Sequence, residues 1–364
     1  MKKMVILLTM VITGCLLIPS IVSAFQGKGY SSAVESTNSH QFSLLRFQRL
    51  WDFSHPTEPT IEQGIYHTYQ EMTDLLQNLA QNHSDTLSLT SLGNTYENRD
   101  LWMVKISDNV QQDEDEPEVL FMGAHHGNEK PSYEVLIYFI ETVINEYENN
   151  NASICEIVNN TEIYVIPMVN PDGVEANTRK NREPNYGPFG LQKEQTSIGV
   201  DLNRNYGYRW FFLFLFPRLY LGATDYRDES EVYRGEKPFS EKEIQAIRDF
   251  VTTRELRISI SYHTFGELVL YPWGFTTFPT KDKSVFVSIG NNITTINGYT
   301  LGQSIELYPT LGDDNDWLYG RHNVLAYTIE LGTSYAPGNP DVLLDMCQKH
   351  LLVNLYVCEQ VGTL

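Results

Sequence analysis

The chain has 364 residues, enough for one large core, and carries 46 Asp and Glu against 26 Lys and Arg, a net charge of −20. A surface that acidic repels nucleic acid and anionic lipid and suits solubility and cationic substrates. Only four cysteines occur, so this is not a disulfide-built scaffold.

The first segment, MKKMVILLTMVITGCLLIPSIVSA, joins two lysines to an apolar run and ends in small residues at Ala24. That is the layout of a secretory signal peptide over residues 1–24. Cys15 offers a second reading, a lipid-modified start, but the apolar run continues beyond it; an uncleaved membrane anchor is the minor alternative. A secreted, extracellular protein is the expectation, and Asn82, Asn151, Asn159 and Asn292 begin N-x-S/T sequons that fit it. Residues 25–60 read as a polar leader or linker, with a short helix in FSLLRFQRLW.

Residues 61–361 read as one domain. YHTYQEMTDLLQNLAQN has helical spacing, TLSLTSLG and LWMVKIS alternate as strands, and the charged QQDEDEPE reads as a loop. VLFMGA is a strand and EVLIYFIETVINEYE a helix. IYVIPMV is a strand, EKEIQAIRDFV a helix and RISISYH a strand. A helix around SVFVSIGNNITTI, a strand LAYTIEL and a closing helix DVLLDMCQKHLLVNLYVCE complete the chain. Near-continuous apolar strands alternating with helices predict an α/β fold with a twisted sheet covered on both faces. Cys347 and Cys358 lie three turns apart on the closing helix, roughly 16 Å along its axis, and cannot pair with each other. Pairing of either with Cys155 stays open.

FMGAHHGNEKPS, residues 121–132, puts His126 and Glu129 at i and i+3 just past a strand. At that offset both side chains reach the same side, and imidazole with carboxylate suits zinc. H-x-x-E is common in loops, so the pair gains weight only from further residues. His263 ends the strand RISISYH. The turn NPDG leads into a cationic loop with Arg179 and Arg182. GVDLNRNYG places Asp201, Asn203 and Arg204 within four residues, and Glu330 ends the apolar run YTIEL. A buried carboxylate without a partner is costly, so Glu330 needs a reason to be there.

HGNE, NPDG, RKNR, GVDLNRN, SYH, LYPTLGDDNDW and YTIEL occur in the order and at roughly the spacings of the zinc carboxypeptidases of the carboxypeptidase A/B type, which the chain resembles over about residues 61–361. The resemblance implies a mixed, eight-stranded twisted sheet with helices on both faces. It implies one Zn2+ held by His126, Glu129 and His263, with Asp201 orienting the first histidine. Glu330 would be the general base, Arg182 the arginine that stabilises the oxyanion, and Arg179 a contact further along the groove. Asn203 and Arg204 would clamp the substrate's C-terminal carboxylate, and Tyr308 would close over it. Asn315 and Asp313 fall where side-chain preference is set, and imply release of basic and neutral C-terminal residues. The expected partners are peptide or protein C-termini, with no nucleic acid, and the chain is read as a monomer.

Several positions depart from the family pattern. Asn128 stands where many relatives have arginine, and HGNE also occurs in enzymes that deacylate amino acids. An amidase acting on cell-wall peptides or an N-acyl amino acid deacylase is therefore the alternative. Thr264 and Phe265 replace a Ser-Tyr pair after the third ligand. No segment as long as the family's inhibitory propeptide follows Ala24, so activation by propeptide removal is not expected. WFFLFLFPRLYLG, 210–222, is read as a partly buried insertion, with a core strand and a membrane-contacting or partner surface as alternatives. His125, His40, His55, His67, His83, His322 and His350 show no ligand pattern and are read as structural or surface residues.

Overall fold

The computed structural model describes residues 65–182 and 199–364. The expected signal peptide, the 25–60 leader with its short helix, Cys15, His40 and His55 lie outside the described residues. All described residues belong to one compact unit, Pro56–Leu364.

The chain begins with α1 (Tyr69–Asn82), opened by a capping box in which Thr68 and Glu71 each satisfy the other's main-chain N–H. Strands β1 (Leu87–Asn94), β2 (Asp100–Ile106) and β3 (Glu118–Met122) follow, then α2 (Pro131–Glu148) with proline in its first turn. Next come α3 (Ala152–Val158), β4 (Glu162–Ile166) and α4 (Pro171–Ala176). Two one-turn helices, α5 (Phe212–Leu215) and α6 (Pro217–Tyr220), precede α7 (Lys242–Val251), β5 (Leu256–Thr264) and β6 (Leu268–Tyr271). The remainder is α8 (Lys283–Asn297), β7 (Thr300–Gln303), α9 (Asp314–His322), β8 (Leu325–Leu331) and α10 (Pro340–Val361).

The eight strands form one sheet in the order β1-β2-β4-β3-β5-β8-β6-β7. Its centre, β4-β3-β5-β8, is parallel, and antiparallel pairings flank it on both sides. Strand alternation sorts β3 between two cores. Leu120 and Met122 join a cluster with Ile244 and Ile247 of α7 and Trp317 of α9. Phe121 points the other way, its ring 5.3 Å from Phe139 of α2. Helices therefore cover both faces, as the apolar strands predict.

Several short elements escape the sequence reading. NPDG is not a plain turn but the start of α4, with Asn170 as its cap. GDDNDW opens α9, with Asp313 as its cap. Residues 210–222 contain no strand: they form α5 and α6, with Leu213 and Tyr220 buried and Phe211, Phe214 and Leu215 about two-thirds exposed (66%, 63% and 65%). Cys155, Cys347 and Cys358 are all free thiols. Among the described residues, no helix is long and apolar enough to cross a membrane.

Candidate metal centre and active site

Four parallel strands end on one side of the sheet, and the chemistry collects there, as expected for ligand sites of open α/β sheets. After β3 the chain turns at Ala124, whose φ of +48° is unusual for a residue with a side chain. The loop then runs against α4 so closely that a Cβ on Gly127 would lie 2.0 Å from the carbonyl carbon of Gly173. Asn170 fastens the two segments: its Oδ1 accepts from Gly173 N–H, and its Nδ2 donates to the carbonyls of His125 and Arg179. Sequence reasoning missed this role, although N-P-D-G carries the signal of a capped helix start with proline at its first position.

His126 Nδ1 is 2.8 Å from Glu129 Oε1, and His263 Nδ1 is 3.0 Å from Glu129 Oε2. The two Nδ1 atoms are 3.2 Å apart. All three residues are buried. Tetrahedral ligands about 2.0–2.1 Å from zinc are spaced about 3.3 Å apart, so the donor set fits that ion in kind and in spacing. Among the described residues, two further acidic groupings, Asp108 with Glu114 and Glu116, and Asp113 with Glu118 and Glu162, contain no imidazole. Arg254 pairs with both Asp113 and Glu118, and Lys105 with Glu162.

Asp201 backs the first histidine, with Oδ1 3.0 Å from His126 Nε2. Burial opposes its ionisation, but Arg179 and then His126 hold its carboxyl well below the usual range. Burial likewise opposes the charge on Glu129, and His126 and His263 hold it ionised. The cluster is thus a carboxylate-rich cage suited to a dication.

The two arginines sit in different surroundings. Arg179 Nε lies 2.9 Å and Nη2 2.8 Å from Asp201 Oδ2, and Nη1 lies 3.7 Å from Glu129. Arg182 instead pairs with Glu241 at 2.8 Å and stacks 3.5 Å over the Tyr96 ring. Of the two, Arg179 has the contacts with the metal-ligand cage and with the carboxylate behind it.

Glu330 ends β8 directly opposite His263 on β5. It is buried, and among the described residues no hydrogen-bond donor meets its carboxylate. Burial raises its pKa to about 7, although His263 acts to lower it. Arg204 is buried, its Nη1 bonded to the Asn203 carbonyl and its guanidinium 5.9 Å from the Tyr308 ring, which is partly exposed. Asn203 turns its Nδ2 to His263 Nε2 at 3.2 Å and accepts from Asp314 N–H through Oδ1.

Asp313 is a buried helix cap, accepting from Asp316 N–H and the Thr310 hydroxyl. Asn315 donates to the Leu270 carbonyl and to Ser304, and its Oδ1 is buried without a partner.

The family model "zinc carboxypeptidase" matches residues 72–341. A zinc carboxypeptidase of Saccharothrix mutabilis subsp. capreolus is 36% identical over 294 residues, covering 75% of this chain and 63% of that protein. The chain thus spans less than two thirds of that relative's own length. Carboxypeptidase B of Astacus astacus is 29% identical over 282 residues, covering 73% of this chain and 86% of that protein. The crystal structure of thrombin-activatable fibrinolysis inhibitor superposes with a TM-score of 0.72 at 22% identity, covering 88% of this chain and 80% of that one. Carboxypeptidase A from Helicoverpa armigera gives 0.69 at 21% identity, covering 89% and 80%. At such identities these structures speak to the fold alone.

Proposed function

This chain belongs to the zinc carboxypeptidase family, and we propose that it is a secreted metallocarboxypeptidase that hydrolyses the last peptide bond of peptides and proteins. The observation that carries this reading is the meeting of His126, Glu129 and His263 with Glu330 beside them in register. Zinc held by the first three supplies Lewis acidity and lowers the pKa of a water to about 7. Glu330 accepts the proton of the attacking water and delivers it to the leaving amine. Arg179 donates to the oxygen on which negative charge develops, a task suited to a permanent cation with several N–H groups.

Arg204 and Asn203 hold the substrate's free carboxylate, and Tyr308 closes over it. Two Arg204 nitrogens are spent on main-chain carbonyls, which fixes the guanidinium and leaves its remaining N–H groups for an anion. Acceptance of basic as well as neutral C-terminal residues is part of the proposal. It is supported by the partnerless Oδ1 of Asn315 and by the acid Asp313. Membrane contact by the exposed apolar face of 210–222 belongs to the same proposal.

The test is mass spectrometry of a peptide mixture incubated with the protein, with and without a chelator. Loss of single residues from C-termini, abolished by chelation and restored by Zn2+, is expected. Internal cleavage, or cleavage indifferent to chelator, would overturn the reading.

A further inference from the structure

Below the metal-ligand cage the sheet carries small side chains. Strand alternation and register put Ser259, Ser261 and His263 of β5 on one face, beside Ala326, Thr328 and Glu330 of β8. Thr328 is the one residue of β8 that is not fully buried. A recess therefore opens over it, flanked by its partners Ser261 of β5 and Leu270 of β6. The first turn of α9 forms the wall. Asp314 N–H donates to Asn203 Oδ1 at 2.9 Å, and Asn203 Nδ2 lies 3.2 Å from His263 Nε2. Asn315 Nδ2 donates to the Leu270 carbonyl at 3.4 Å and to Ser304 Oγ at 3.3 Å. The turn thus runs from the proposed carboxylate clamp to the strand beside Thr328.

That turn holds four polar side chains, Asp313, Asp314, Asn315 and Asp316, all of them buried. Asp313 accepts from Asp316 N–H through Oδ1 at 2.8 Å and from the Thr310 hydroxyl through Oδ2 at 2.6 Å. Asp316 accepts from Gly274 N–H through Oδ1 at 2.8 Å and from Phe275 N–H through Oδ2 at 3.1 Å. Each oxygen of these two acids is engaged by the chain itself. Asp314 is only 1% exposed, yet its Oδ1 has no hydrogen-bond partner. Asn315 Oδ1, on a residue 2% exposed, has none either. A buried acceptor without a donor is costly. Two of them on adjacent residues beside a recess mark a place where an incoming group supplies the donors.

We infer that Asp314 is the specificity-determining residue for cationic C-terminal side chains, its carboxylate pairing with the cation while Asn315 Oδ1 accepts a second N–H. This assignment rests on the proposed carboxypeptidase reading, in which Asn203 holds the substrate's terminal carboxylate. Asp314 is bonded to Asn203 through its main chain, so the side chain of that same terminal residue meets it next. Asp313 acts indirectly, as the cap of α9 that fixes the turn.

The test is kcat/KM for two peptides that differ only in a C-terminal Arg or Leu, measured on wild type, Asp314→Asn and Asp313→Asn. Asparagine keeps the side-chain shape at 314 and remains a good helix cap at 313. Asp314→Asn is expected to lower the Arg-to-Leu ratio about tenfold or more, since a desolvated cation loses its counter-charge. Asp313→Asn should leave the ratio close to that of wild type. The ratio separates the roles, because general damage to the fold lowers both peptides together. An Asp314→Asn ratio equal to that of wild type overturns the assignment, and so does a larger fall in Asp313→Asn than in Asp314→Asn. Should Asp314→Asn not fold, Asp313→Asn decides: a retained ratio upholds Asp314 and a lost one overturns it. Failure of the proposed function shows separately, as wild-type protein that releases neither terminal residue, and overturns the assignment with it.

Discussion

His263 and Glu330 face each other across the parallel pair β5–β8, one a candidate ligand and the other a buried acid with no donor on its carboxylate. Backbone pairing thus sets the spacing between the proposed metal ligand and the proposed base. Removing the base while keeping its shape should spare the metal. Glu330→Gln is expected to lose about 10²–10⁴-fold in turnover with zinc content unchanged, checked by kinetics beside metal analysis. The same residue sets an acid limb. Only ionised Glu330 accepts a proton, so activity falls as pH drops through its pKa, raised by burial to about 7. A bound dication favours the ionised form, as His263 does, so the limb lies below that value.

The arginines give a sharper contrast. Arg179 touches Asp201 and approaches Glu129, whereas Arg182 is held by Glu241 and Tyr96. Arg179→Ala should cost about 10²–10³-fold in kcat/KM. Arg182→Ala should leave turnover within about an order of magnitude but strand buried Glu241, at a cost of roughly 3 kcal/mol. Kinetics and denaturant unfolding of both variants separate the roles. The opposite pattern would return the oxyanion role to Arg182.

The placement of these two arginines shows where sequence reading reaches its limit. The central strands were legible because long apolar runs have one interpretation; His263 and Glu330 stand at the ends of such runs, while His126 and Glu129, just past VLFMGA, drew their weight from the ordered motifs around them. Arg179 and Arg182 share a single loop, and which of them turns inward depends on Asp201 and Glu241, 22 and 59 residues away respectively. No local pattern encodes that. The strands β6 and β7, four residues each, and the helix hidden in GDDNDW are too short for periodicity to declare.

Glu243 offers a prediction about stability. It is buried beside Asn181 and Glu241, and burial raises its pKa to about 8, against about 4.3 in an unfolded chain. Between those values the folded state holds a proton that the unfolded state has released, so stability falls as pH rises through this window and no further above it. Glu243→Gln removes the titration. It should be near neutral at pH 4 and stabilising by roughly 1–3 kcal/mol at pH 8, read as melting temperature against pH. A pH-independent effect would show that Glu243 stays charged.

The apolar face of α5 and α6 is the least expected surface feature. Phe211, Phe214 and Leu215 are exposed, and residues 207–223 include Arg209 and Arg218 but no acid, in a chain of net charge −20. An apolar patch with local positive charge suits the interfacial zone of a bilayer. Phe214→Ser with Phe216→Ser should lower recovery on sedimented phospholipid vesicles at least severalfold, with turnover of a soluble peptide unchanged. Equal recovery of wild type and variant would dispose of membrane contact through this face.

Substrate preference follows from which oxygens remain uncommitted. Asp313 spends its carboxylate on Asp316 N–H and Thr310, while Asn315 keeps a buried carbonyl oxygen without a donor. A cationic side chain entering here finds acceptors, whereas a carboxylate meets Asp313, Asp314 and Asp316 together, all with pKa values raised by burial. Peptides ending in Arg should therefore be cleaved fastest, those ending in Leu also cleaved, and those ending in Glu slowest by at least tenfold, about 1.4 kcal/mol. With Arg204 as the proposed carboxylate clamp, amidation of the C-terminus removes its anion and should cost about 10²-fold or more in kcat/KM, since a buried charge then lacks its partner. Fastest release of Glu would remove the acidic-pocket assignment. Equal turnover of amides and free acids would remove the carboxylate clamp and favour an amidase, with turnover of N-acyl amino acids against peptides as the deciding measurement.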